Sequence, residues 1–267
     1  MIKLILTLLS PPALSRAFGR LTRVRKPKCL IRLVIKRFAT VYHIDMSDYI
    51  GIPDDYPSLL EFFVRPLDPN VRPLISDHTS FLSPADGVLA ELQEIHTDVA
   101  TQAKGWQYNV STLTGVNECW EKGWWLAVIY LSPSNYHRYH YPMNSRLDSL
   151  THLGNRLFPV NRAGITSIKS LFIRNERVTA SFSVGDRRFH IVAVGATFVG
   201  SIKMSACPGP FRPGQRIPLH IPVEQNDEMG RFEMGSTLVV LLPKDMAQPA
   251  ITQGETVKVG TPLFKLS

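Results

Sequence analysis

The chain has 267 residues, 44% of them apolar, enough for one large core or two small ones. Its formal charge of +8 is concentrated: residues 1–40 hold ten Lys/Arg and no acid, while the remainder holds 20 basic and 22 acidic residues. A basic face that reads nucleic acid belongs to a folded domain, so this distribution argues against a nucleic-acid partner. Three cysteines (Cys29, Cys119 and Cys207) without C-x-x-C spacing exclude a fully paired disulfide framework and fit buried thiols in a reducing cytoplasm.

Residues 4–9 are mostly apolar but fall short of the ~20 residues a spanning helix needs. No small-x-small cleavage site follows them, so a signal peptide fits poorly. From Leu14 the spacing of Leu14, Ala17, Phe18, Leu21 and Val24 predicts a helix. After Pro27, Leu30, Ile31, Val34, Ile35 and Phe38 predict a second, with Arg32, Lys36 and Arg37 interleaved. Basic amphipathic helices of this kind lie in a membrane interface, where each cation near anionic lipid contributes about 1 kcal/mol. The competing reading is a helix packed on the core with a solvated basic face. Residues 48–61 predict a short helical region with turns at Pro53 and Pro57, and residues 62–73 an extended connection.

From about residue 81 the signals are β: 88–92, 124–131, 167–173, 177–184, 187–194, 197–204, 237–242 and 256–266. Pro208, Pro210, Pro213 and Pro218 mark a loop. The expectation is an α+β, β-rich fold: a basic amphipathic segment at 1–60 for membrane association, then a β-rich catalytic domain at 61–267. The C-terminal run Gly254 to Phe264 resembles one half of a lipoyl- or biotinyl-type barrel-sandwich, and the Pro84-Ala85-Asp86-Gly87-Val88 region resembles the other. Pairing of the two would place Asp86 near the C-terminal strands. No lysine stands at a hairpin tip, which excludes a lipoyl or biotinyl carrier.

Three motifs carry chemistry: Ser83-Pro84-Ala85-Asp86-Gly87, Tyr136-His137-Arg138-Tyr139-His140 and Gly235-Ser236-Thr237. Together they supply a carboxylate, two imidazoles and a hydroxyl. A serine is a weak nucleophile unless a base takes its proton, and an oriented imidazole does that. Ser236 follows a glycine, where a peptide carbonyl can be approached with little hindrance. No G-x-S-x-G elbow surrounds it, which disfavours an ordinary α/β-hydrolase. The three-residue spacing of His137 and His140 puts both rings on one side of a helix but separates them on a strand. No zinc-like ligand spacing is present, so no metal is expected. The hydroxyl, imidazole and carboxylate also suit a membrane-associated serine hydrolase using Asp86, His140 and Ser236. A non-enzymatic membrane-bound β-domain is the third reading.

With Phe62-Phe63-Val64-Arg65-Pro66-Leu67, Arg72-Pro73, residues 130–140, Gly154-Asn155-Arg156-Leu157-Phe158-Pro159, residues 194–202 and residues 228–237, these motifs resemble the phosphatidylserine decarboxylase family in its bacterial membrane-associated form. Met234 stands where that family usually has Leu, and Asn135 where Asp is frequent. The resemblance implies a precursor in which Ser236 attacks the Gly235 carbonyl, with Asp86 as orienter and His140 as base. Cleavage would leave a β chain of 1–235 and an α chain of 236–267, the latter opening on pyruvate (a pyruvoyl group) made from Ser236. It further implies decarboxylation of phosphatidylserine to phosphatidylethanolamine and CO₂ through a Schiff base, with His137 as proton donor. The enzyme would be peripheral, on the cytoplasmic face of the inner membrane, against an anionic lipid surface, with a homodimer left open.

Overall fold

The computed structural model describes residues 12–102, 105–197, 202–207, 209–233 and 235–267. The expectations for residues 4–9, Pro208 and Met234 lie outside these. Two helices, α1 (Pro12–Leu21) and α2 (Lys28–Val41), and the one-turn helix α3 (Leu59–Phe63) precede the first strand. Strands then follow as β1 (Ser80–Leu82), β2 (Gly87–Ile95), β3 (Val99–Gln102), β4 (Trp106–Asn109), β5 (Trp124–Leu131), β6 (Arg138–His140), β7 (Ser145–Leu153), β8 (Arg177–Val184) and β9 (Arg187–Gly195). The last are β10 (Ile202–Met204), β11 (Arg216–Val223), β12 (Glu228–Phe232), β13 (Ser236–Pro243), β14 (Ala247–Pro249), β15 (Thr256–Val257) and β16 (Pro262–Leu266). Short helices α4 (Val110–Thr114), α5 (Arg162–Ser167) and α6 (Leu171–Arg174) sit between strands.

An antiparallel sheet in the order β11-β7-β8-β9-β13-β5-β2-β15 organises the molecule. Its middle strands are covered on both faces. Leu238, Val240 and Leu242 of β13 join Ala127, Ile129, Phe189 and Ile191 in one core. Val239 and Leu241 join Leu126, Val128, Val192 and Phe172 in the other. Burial on both sides explains why β5 and β13 read as continuous apolar runs rather than alternating ones. The α+β, β-rich expectation holds, and so does the pairing of the two barrel-sandwich halves. Thr256 and Val257 pair with Val88 and Gly87, and β16 pairs with β1.

Three of the expected strands differ. Residues 167–173 are not strand: Ser167 ends α5, a turn follows at 168–170, and 171–173 lie in α6; the Asn161 side chain caps α5 by accepting from Gly164 N at 3.0 Å. Ile168, Leu171 and Phe172 are buried in the second core, so their apolarity reflects helix packing. Of 197–204, strand covers Ile202–Met204, and 198–201 lie outside the described residues. The run 256–266 breaks into β15 and β16 at a turn where Gly260 adopts φ 82°. Conversely, β11 went unread because Pro218 and Pro222 interrupt it; it is an edge strand, where proline is tolerated.

At the N-terminal side, Phe18 and Phe38 pack against Leu60, Phe63 and Val64, and Ile35 is fully buried. Ion pairs Lys36–Asp54 (2.8 Å) and Arg23–Glu233 add to this contact. The apolar stripe of α2 is therefore divided. Ile35 and Phe38 face the protein, while Leu30 and Leu33 are 51% and 64% exposed. Among the described residues, no helix is long and apolar enough to cross a membrane.

Candidate active site

Ser236 opens β13 in the centre of the sheet, facing Leu131 of β5 on one side and Gly195 of β9 on the other. Both flanking strands hold its backbone, and its side chain is fully buried. None of the described residues hydrogen-bonds its Oγ. Leaving a buried hydroxyl unpaired costs about 1–3 kcal/mol, so the site sacrifices stability here. Gly235 precedes it with φ 40°, in the left-handed region that favours glycine. A cavity of about 300 Å³ touches both residues, and its walls include Tyr130, Pro133, Pro159, Val160 and Ala196.

Asp86 lies just before β2, which borders the other side of β5. Val88 faces Tyr130 there, one residue from the Leu131 that faces Ser236. Two strand spacings, about 10 Å, thus separate the backbones of β2 and β13 at this level. The Asp86 carboxylate accepts three N–H bonds: from Arg72 Nη1 at 2.8 Å, from Arg72 Nη2 at 2.6 Å and from Val259 N at 2.8 Å. A bidentate arginine fixes it in orientation.

His140, at the end of β6, is tethered to the same loop by its backbone N–H, which donates to Pro84 O at 2.8 Å. Its Nδ1–H donates to Asn226 O at 2.6 Å, so its Nε2 carries the lone pair and accepts from Tyr136 Oη at 3.0 Å. Burial lowers its pKa; the bond to Asn226 and the charge of Glu228 oppose this, the Arg138 charge adds to it, and the Asp86 charge is the smallest influence, favouring the protonated ring. His140 is therefore a neutral imidazole of base-ready form. The carboxylate expected to orient it bonds instead to Arg72 and Val259, and the Asn226 carbonyl orients the ring.

His137 is fully buried. Its Nδ1–H donates to Asn135 O at 2.9 Å, its ring lies 3.9 Å from that of Phe63, and its Nε2 has no partner among the described residues. Burial, with the Arg65 charge behind it, pushes its pKa down to about 3. His137 lies just before β6 and His140 ends it, and the two rings bond different partners. The backbone ties His137 to the segment before the cleavage site: Phe232 N donates to His137 O at 3.0 Å, and Phe232 ends β12 four residues before Ser236.

The fold thus ties His140 to the loop that carries Asp86, and sets Asp86 and Ser236 at neighbouring levels on the two flanks of β5, without hydrogen bonds among the three. Sequence reasoning assigned no role to Arg72, Tyr136, Asn226 or Arg65. The Arg72-Pro73 and Arg65-Pro66 motifs were visible signals, but the partners that give these arginines meaning are distant in sequence. Among the described residues no cluster of metal-ligating side chains is present.

Comparison with known proteins bears on this arrangement. The sequence model for phosphatidylserine decarboxylase matches residues 59–265, a span that contains every group named above. A phosphatidylserine decarboxylase proenzyme of Anaeromyxobacter sp. (strain K) is 36% identical, with 97% of this chain and 95% of the relative aligned. Proenzymes of the same description from Delftia acidovorans and Brevibacillus brevis are 38% and 35% identical, with 88% and 94% of this chain aligned and 86% and 92% of the relatives. With a match this long, covering both the sheet and the segment around Ser236, the chain belongs to the phosphatidylserine decarboxylase family.

Proposed function

We propose that this chain is a self-processing precursor whose mature form decarboxylates phosphatidylserine to phosphatidylethanolamine at a membrane surface. The observation that carries the reading is Ser236: a buried hydroxyl without a partner, directly after a left-handed glycine, at the wall of a cavity. Ser236 Oγ attacks the Gly235 carbonyl, and the peptide nitrogen departs as the backbone becomes an ester. His140 accepts the hydroxyl proton through Nε2 once Tyr136 yields that position. Asp86 stabilises the resulting imidazolium by its charge. Loss of the Ser236 α-proton then expels the Gly235 carboxylate by β-elimination, and water displaces ammonia to leave a ketone at the new terminus.

The surroundings fit a group made in place. β13 is paired to β5 and β9 from Ser236 onward, pairing that does not depend on the Gly235–Ser236 bond and would keep the 236–267 fragment in the core with its first residue at the cavity. A pyruvoyl group at this position supplies a ketone able to accept the electron pair that CO₂ leaves behind. Pro133, Pro159, Val160 and Ala196 keep that space apolar, which strengthens electrostatic interactions within it. His137 handles the proton. Its free Nε2 takes one from the substrate ammonium and returns it to the substrate carbon after CO₂ departs.

A diacyl lipid does not readily leave the bilayer, so the enzyme must reach it. The exposed Leu30 and Leu33 of α2 and the surrounding cations support peripheral docking on anionic lipid. Mass spectrometry of purified protein, with a serine-directed probe added, tests the reading. A chain of residues 236–267 without a free terminal amine is expected. A single unprocessed chain that reacts with the probe would instead identify a serine hydrolase, and an inert unprocessed chain a non-enzymatic domain.

A further inference from the structure

Arg65 follows α3 and is fully buried, yet no ion pair with an acid is found for it among the described residues. A buried cation without a counter-charge costs several kcal/mol. Its guanidinium is spent on carbonyls: Nη2 donates to Ser134 O at 2.6 Å and reaches Asn135 O at 3.4 Å, and Nη1 reaches Phe62 O at 3.4 Å. The planar group lies 4.1 Å from the ring centroid of Tyr49, a cation–π contact, and its Nε has no partner. Asn135 O is the same carbonyl that accepts from His137 Nδ1.

We propose that Arg65 is the positioning residue of His137: it pins the turn at 132–135 so that Asn135 O fixes the Nδ1–H and leaves Nε2 free to take and return a proton. This rests on the role given to His137 above. Position and charge act together. Other charged groups of these elements are engaged elsewhere: Arg138 and Arg231 both pair with Glu228, and Glu233 with Arg23. Tyr49 and Tyr136 are held neutral, burial raising both phenols. His140 is a neutral ring turned towards Asn226 and Tyr136. Arg65 therefore supplies the charge that acts on His137, and it opposes protonation of the ring before substrate arrives. The ring thus enters the reaction neutral, with Nε2 open. An Asp or Glu partner for Arg65 would cancel that field, which accounts for a costly unpaired cation at this place.

The test uses the full-length chain, with cleavage read by mass and kcat/KM read from CO₂ release across pH on phosphatidylserine-containing vesicles. Arg65→Gln is expected to cleave normally, because Ser236 makes no contact with Arg65. It should lower turnover and move the acid limb of kcat/KM up by about one pH unit or more, since the ring now protonates more readily. Arg65→Lys keeps the charge but loses the forked contacts. It should leave the limb in place while lowering kcat roughly 10–100-fold. In the His137→Gln background, where turnover falls about 10²–10⁴-fold, either Arg65 change should add little. An unmoved acid limb in Arg65→Gln, or losses that multiply in the double variant, would overturn the proposal. If Arg65→Gln does not fold, Arg65→Lys alone and with His137→Gln decides, and wild-type kcat in Arg65→Lys overturns it. Full turnover in His137→Gln would show instead that the role of His137 itself is wrong.

Discussion

In the proposed self-cleavage, two side chains govern whether the cut occurs. His140 must be neutral to accept the Ser236 proton, and burial favours the neutral ring by lowering its pKa below 6.5. A lowered pKa keeps the neutral form abundant to more acidic pH. Self-cleavage of freshly refolded chain should accordingly be flat from about pH 8 to about pH 6.5 and decline only below that, as followed by timed mass spectrometry. A decline already centred near pH 7 would mean that another group is limiting. Asp86 offers a second handle. Arg72 supplies two of its three N–H partners, and both side chains are largely buried, 11% and 9% exposed. Arg72→Met leaves that carboxylate uncompensated and should destabilise the chain by about 3–5 kcal/mol in denaturant titrations, with slower cleavage in the folded fraction. The Asp86-Gly87 turn before a strand was legible locally, but an Asp before Gly is ordinary turn chemistry, and the role given to Asp86 came from the resemblance of the surrounding motifs. Arg72 as its clamp was not legible, since the pairing exists only when β15 and the 68–73 turn close over the loop.

At the level of elements, β5 is the ruler of the site, because it sets Asp86 and Ser236 at neighbouring heights on its two flanks. The approach of β2 to β5 is close at Gly87, where an added Cβ would stand 2.4 Å from Tyr130 O and 2.9 Å from Ile129 Cγ2. Gly87→Ala must push β2 away from its partner. The expected cost is about 1–3 kcal/mol, read as a lower denaturation midpoint at unchanged slope, together with a smaller cleaved fraction as Asp86 moves with the strand. A fully cleaved, equally stable Gly87→Ala chain would show that this register does not matter to the chemistry. The central strands β5, β8, β9 and β13 were legible in the sequence because long apolar runs bounded by turn residues survive any tertiary context. The helices at 162–174 were not: Ile168, Leu171, Phe172 and Ile173 give the same apolar density as a strand. Only the Asn161 cap, a single side-chain bond, marks the difference. Short strands such as β6 and β12 owe their existence to each other, through pairs such as Glu228 with His140, and carry little local signal.

For the whole molecule, charge and apolar surface are both asymmetric, and they coincide at the N-terminal helices. Leu21, Leu30, Leu33 and Val41 are each at least half exposed, and the cations of residues 20–37 surround them. The two contributions are separable. Coulombic attraction to anionic lipid weakens as the screening length shrinks from about 10 Å at 0.1 M salt to about 3 Å at 1 M, whereas apolar insertion persists or strengthens. Leu30→Glu with Leu33→Glu removes the apolar part, so its binding to phosphatidylserine-containing vesicles should be weak and abolished by salt. Arg32→Gln with Arg37→Gln removes part of the charge, so its residual binding should be less salt-sensitive than that of the unsubstituted chain. Decarboxylation turns an anionic headgroup into a zwitterionic one, and the same sedimentation assay should show affinity falling as vesicles are converted. That fall should be steep for the glutamate variant, which depends on charge alone. Equal retention of both variants on fully converted vesicles would mean that this face does not dock the enzyme.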